Sequence, residues 1–277
     1  FKGTDTSFFS DQYNHASIID GIKLSKRPCH VFIHHNFDQL STLLFQSKSR
    51  QKIIVVESLY SMDGDFLPWE KITHLLHQHD AMLIVDESHA TGIWGKGGLG
   101  LSYDHSFSSD KIIRIHSAGK ALGASGGFIT CSHSIKKWLA NKSRPLIYST
   151  SPSPYQAVHL HLAIKYLKNN PCQIAKLKRN IEYFHHKLAN CSDFSNTCQS
   201  PSQIIPLIIG DNARCLQLEQ MFREKEILIK AIRWPSVPEN LSRIRVTLNA
   251  DLSIDQMNLF FKNLNENIES MKAIRHD

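Results

Sequence analysis

Residues 81–100, AMLIVDESHATGIWGKGGLG, decide the fold. The stretch opens on an apolar run, Met82 to Val85, ends that run with Asp86, and passes through His89 into a glycine-rich loop. A short apolar run without polar alternation reads as a strand buried on both faces, the habit of a parallel sheet covered by helices. A carboxylate at the carboxyl end of such a strand faces the crevice where open α/β sheets bind ligands. Taken alone, Asp86 could equally cap a helix or join a buried salt bridge.

The flanking sequence repeats the pattern. KIIVVES (52–58), DKIIRIHS (110–117) and GGFITCS (126–132) are further strand-like runs. LPWEKITHLLHQHD (67–80) carries Trp69, Ile72, Leu75 and Leu76 at helical spacing, and a long helical stretch runs from about 153 to 189 with an interruption near Pro171. Strands alternating with helices predict an α/β fold with a mostly parallel sheet of seven-stranded type and helices on both faces. After that the pattern changes. QIIPLIIGD (203–211) and SRIRVTLN (242–249) read as strands around a helix at 213–226, and a final amphipathic helix covers 253–271. The expected division is a large domain over 1–190, including an interdomain helix, and a small α/β domain over 191–277.

Bulk composition narrows the function. The chain has 277 residues, 42% hydrophobic and 21% charged, which is globular in character. Its net charge is +7, yet the basic residues are scattered and no block is longer than KLKR, so no nucleic-acid stripe is expected. Cys29, Cys131, Cys172, Cys191, Cys198 and Cys215 form no CxxC pair. They read as free thiols in a reducing compartment, and the cytoplasm is the expected location. No segment has the length of a membrane span and no signal peptide is visible. His74, His77 and His79 lack metal-ligand spacing and read as an exposed helix face, so no metal is expected.

HSAGKALGASGG (116–127) places Lys120 among Ala118, Gly119, Ala121, Gly123 and Ala124. A solvated lysine needs no such company, whereas one that must touch a flat ligand does. With Asp86 at one strand end and Lys120 in a small-residue loop after another, the pair suggests a pyridoxal phosphate site. The amine would form a Schiff base with the cofactor aldehyde, and the carboxylate would favour the protonated pyridine nitrogen.

At this point the chain resembles the α-oxoamine synthases, a group of fold-type-I pyridoxal phosphate enzymes. The stretches that carry the resemblance are SDQYNHASIIDGIKLS (10–25), VVESLYSMDGDFLP (55–68), residues 84–100 and 116–127, and LIYSTSPSP (146–154). The resemblance implies that Lys120 binds the cofactor and moves the α-proton of the amino acid. It implies that Asp86 pairs with the pyridine nitrogen, His15 stacks on the ring and helps place the substrate, and His89 bonds the phenolic oxygen. Ser61 would contact the cofactor, and Ser117, where the family usually has threonine, its phosphate. Arg245 would bind the amino-acid carboxylate, with Arg243 as the fallback and otherwise a solvated strand-edge charge. Ser236 matches a substrate-contacting threonine. The family also implies a homodimer in which Thr150 reaches the other subunit's cofactor phosphate.

The implied substrates are L-alanine and a pimeloyl thioester, on CoA or a carrier protein; the nearest rival within the family uses glycine and acetyl-CoA. A non-catalytic subunit that pairs with an active partner is a further alternative, against which Lys120, Asp86, His15 and His89 all speak. Family members carry, upstream of the point matching Phe1, a glycine-containing phosphate-binding segment and an arginine for the acyl substrate. The reading therefore expects either a fragment of a longer enzyme or a truncated relative.

Overall fold

The computed structural model describes residues 5–191, 193–194 and 200–273, with side chains to 271. The chain forms two compact units: residues 1–60 with 67–171, and residues 61–66 with 172–277.

The first unit is built on a six-stranded sheet in the order β2-β1-β3-β4-β5-β6. Its strands are β1 (Thr6–Asp11), β2 (Cys29–Phe32), β3 (Gln51–Glu57), β4 (Met82–Asp86), β5 (Ile112–Ser117) and β6 (Gly127–Thr130). The first five are parallel and β6 runs antiparallel to β5. Helices α1 (Ala16–Ser25), α2 (Phe37–Gln46) and α3 (Trp69–Gln78) make the crossovers. Helices α4 (His133–Lys142), α5 (Arg144–Ile147) and α6 (Pro154–Asn169) follow β6.

Alternation along the central strands sends side chains to two cores. Phe9, Ile54, Val56, Leu83 and Val85 pack with Leu40 and Leu44 of α2 and Ile72, Leu75 and Leu76 of α3. Phe8, Ile53 and Val55 pack on the other face with Ile18 and Ile22 of α1. Each such fully buried side chain contributes roughly 1.5–3 kcal/mol of transfer free energy.

Two of these strands lay outside the sequence expectation. β1, TSFFSD, is entirely buried although four of its six residues are polar. Those polar groups have partners: Thr6 Oγ1 donates to Gln51 Oε1 at 3.0 Å, and Ser7 Oγ lies 2.7 Å from Ser49 Oγ. β2 is a short edge strand.

The second unit holds an antiparallel sheet, β7-β9-β8, of β7 (Ile204–Gly210), β8 (Lys230–Ile232) and β9 (Ser242–Thr247). It carries α7 (Cys172–Ala189), α8 (Asn212–Glu224) and α9 (Ile254–Ala273). Phe184 of α7 lies 4.6 Å from Phe261 of α9, ring centre to ring centre, and Phe222 of α8 stacks on Phe260 at 5.1 Å. This aromatic packing ties α7 to the later helices, so the units part between Pro171 and Cys172 rather than near 190.

Arg243 departs from its expected state as a solvated strand-edge charge. It is 2% exposed and ion-paired to Asp63 at 2.5 Å, because the Ser61–Phe66 turn belongs to this unit and brings the carboxylate to β9. Cys29, Cys131, Cys172, Cys191 and Cys215 are free thiols, and Cys198 lies outside the described residues. Among the described residues no helix is long and apolar enough to cross a membrane.

Candidate active site

The chain leaves β1 through α1 to β2 on one side of the sheet, and leaves β3 through α3 to β4 on the other. Neighbouring strands whose connections diverge leave a crevice at their carboxyl ends. His15 stands at that crevice as the N-cap of α1, its Nδ1 accepting from Ser17 N. Its own backbone N–H donates to Glu57 Oε1 at 2.6 Å. Glu57 is the last residue of β3 and pairs in register with Asp86, the last of β4. Asp86 Oδ1 accepts from Ser88 N at 2.8 Å, which shapes the turn that carries His89.

Glu57 did not stand out in the sequence, although it lies inside VVESLYSMDGDFLP. It is 3% exposed, and burial, with Asp86 next and Asp11 behind, pushes its carboxyl up to about 8. The His15 N–H and the Lys120 ammonium oppose that rise. Glu57, Asp86, His15 and Lys120 therefore form one electrostatic cluster at the strand ends.

Lys120 sits on a loop that doubles back after β5. Ala118 N donates to Gly126 O and Ala124 N to Ala118 O, both at 2.9 Å, so the backbone closes beneath the lysine. Ala118 is fully buried while Gly119, Lys120 and Ala121 are exposed. A Cβ on Gly127 would stand 2.7 Å from His116 O, which explains glycine where β6 meets β5. Ser117 Oγ accepts from Gly119 N at 3.3 Å.

A polar network fixes the floor of this loop. Thr91 donates to Glu87 O at 2.8 Å, and its oxygen faces His116 Nδ1 at 2.7 Å. With its one proton spent on Glu87, the hydroxyl accepts from an Nδ1–H, which makes Nε2 an acceptor for Thr130 Oγ1 at 3.2 Å. Burial, with Arg114 adding to it, lowers the His116 pKa to about 4, so the imidazole is neutral. Glu87, fully buried, accepts from Ser58 Oγ, Leu101 N and Ser102 N.

In the first unit the structure thus gathers His15, Asp86 and Lys120, with His89 in the turn after Asp86 and Ser117 at the end of β5. Thr150 is exposed between α5 and α6. In the second unit, Arg245 Nη1 donates to Ser61 O at 3.1 Å, and Ser236 is exposed with its N–H on Arg233 O. Burial lowers the Arg245 pKa, and its Nε is buried without a hydrogen-bond partner.

Residues 1–264 match the family model for aminotransferase class I and II. The 8-amino-7-oxononanoate synthase of Lysinibacillus sphaericus is 35% identical over 259 residues, covering 93% of this chain and 66% of the relative. That of Ralstonia pickettii is 34% identical over 276 residues, covering 97% and 66%. Among solved structures, Sphingomonas wittichii serine palmitoyltransferase aligns with a TM-score of 0.91 at 25% identity, over 99% of this chain and 69% of that one. The 8-amino-7-oxononanoate synthase of Francisella tularensis aligns with a TM-score of 0.81 at 26% identity, over 96% and 76%. The chain spans about two thirds of the length of these curated relatives.

The chain belongs to the aminotransferase class I and II family, with the fold-type-I architecture of pyridoxal phosphate enzymes. Within it, the chain is a member of the α-oxoamine synthases. That family uses pyridoxal phosphate. The residues present fit the group: a carboxylate at the end of β4, His89 in the turn that follows it, and an exposed amine on a loop of small side chains.

Proposed function

We propose that this chain condenses L-alanine with a pimeloyl thioester, with loss of CO2 and the free thiol, to give 8-amino-7-oxononanoate in biotin biosynthesis. The observation that carries the reading is identity of 34–35% to 8-amino-7-oxononanoate synthases over more than nine tenths of the chain. Lys120 binds pyridoxal phosphate covalently and later carries the α-proton of the amino acid. Bound there, the cofactor supplies an electron sink for the carbanion that decarboxylative condensation requires. Asp86 holds the proton on the pyridine nitrogen, because a carboxylate beside it favours its charged form.

His15 stacks on the ring, His89 and Ser61 bond the cofactor, and Ser117 takes its phosphate. Arg245 takes the amino-acid carboxylate and Ser236 contacts substrate. The protein acts as a cytoplasmic homodimer with Thr150 serving the other subunit's phosphate. The exposed apolar residues of α6, Tyr155, Val158, Leu162 and Tyr166, support an association surface.

The test supplies the purified chain with pyridoxal phosphate, each amino acid and each thioester, and identifies the product by mass spectrometry. Alanine with the pimeloyl thioester is the expected pair. Preference for glycine with acetyl-CoA overturns the reading in favour of the family's ligase branch. Cofactor fixed by borohydride on another lysine, such as Lys96, overturns the assignment of Lys120.

A further inference from the structure

We infer that Glu57 is a positioning residue of this site, fastening the N-terminus of α1, and with it His15, to the end of β3 across the switch-point crevice. The inference rests on the proposed pyridoxal phosphate site. The geometry is specific: Oε1 lies 2.6 Å from His15 N, where the carboxyl end of β3 meets the start of the divergent α1 crossover. Just before it, Asn14 Nδ2 donates to Val55 O of β3 at 2.7 Å and to Ser10 Oγ of β1 at 2.9 Å, so the Asn14 and His15 bonds together stitch the β1–α1 turn to β3. A ring stacked by His15 would take its position from this stitching.

The charge state gives Glu57 a second consequence. The groups that face it are Asp86 on β4, Asp11 on β1, His15 on α1 and Lys120 on the loop after β5. Two carboxyls at adjacent strand ends do not both ionise readily, and here the buried one keeps its proton near neutrality. Near neutrality Glu57 is therefore uncharged, and it gains a negative charge beside Asp86 above about 8. Alkaline pH places that added charge opposite the Lys120 amine.

The sign follows from linkage. Between the ordinary 4.5 and about 8 the unfolded chain has released this proton and the folded chain retains it, so the contribution of Glu57 to stability falls as pH rises. Melting midpoints of the wild type and Glu57→Gln are compared from pH 5 to 8.5 without cofactor. The difference, variant minus wild type, should grow with pH by on the order of 5 °C. Cofactor affinity is then read by absorbance at pH 7 with pyridoxal phosphate. Glu57→Ala, which removes the acceptor for His15 N, should bind several-fold more weakly, and Glu57→Gln, which keeps it, should restore most of that loss. A melting difference independent of pH, or wild-type affinity in Glu57→Ala, overturns the inference. If neither the wild type nor the variants bind pyridoxal phosphate, the proposed function falls, and the melting comparison alone decides the role of Glu57.

Discussion

Arg243 Nη1 and Asp63 Oδ1 lie 2.5 Å apart although their residues are 180 positions apart in the chain. The guanidinium is 2% exposed and also donates to Met62 O and Leu241 O. It is therefore a structural clamp between β9 and the Ser61–Phe66 turn, the turn whose Ser61 carbonyl accepts from Arg245.

Arg243 is buried but Asp63 is 33% exposed, so removing the carboxylate takes a charge-assisted hydrogen bond from a buried guanidinium that keeps two carbonyl acceptors, which costs roughly 1.5–3 kcal/mol. Asp63→Ala should lower stability by about that amount in urea unfolding, whereas Asp63→Glu should recover part of it. A change under about 0.5 kcal/mol, the scale of an exposed pair, would mean that the clamp is solvated.

Lys120→Ala should abolish borohydride-fixed labelling by pyridoxal phosphate and any turnover, since Schiff base and proton carrier are lost together. Lys120 is exposed, so the melting midpoint without cofactor should stay within about a degree of wild type. Retained label in the variant would move the attachment site elsewhere.

His116 gives a pH dependence opposite to that of Glu57. Folded, it protonates only near about 4, while the unfolded chain does so at the ordinary 6.5. The unfolded state binds the extra proton in that window, so stability is lost as pH falls from about 6.5 to about 4. His116→Gln should flatten the melting-midpoint curve over that range. An unchanged slope would show that other groups carry it.

Gly100 has φ +115°, and a Cβ there would stand 2.7 Å from Glu87 Cδ. Gly100→Ala combines backbone strain with a clash against a buried carboxyl that three donors hold in place, and should cost about 3 kcal/mol. Chemical denaturation measures it directly; a neutral result would mean that Glu87 can shift.

Periodicity in the sequence determined the β3, β4, β5 and β6 runs, α3, and the helices on either side of Pro171, because apolar runs and helical spacing are local patterns, whether the face they mark is buried, as in β3 and α3, or exposed, as in α6. It also exposed Asp86 and Lys120, since strand-end placement and a run of small residues are local features. The resemblance, carried by motifs, assigned the remaining roles. Tertiary structure alone decided the rest. β1 reads as polar and becomes a central strand only because Gln51, Ser49 and Asn14 satisfy its hydroxyls. Arg243 reads as a surface charge until a turn distant in sequence supplies Asp63. Glu57 resembles any carboxylate at a strand end until the register sets it beside Asp86 and the crossover of α1 brings His15 N onto it. In each case the physical cause is the same: a buried polar group is defined by its partner, and the partner comes from a segment that local sequence cannot name.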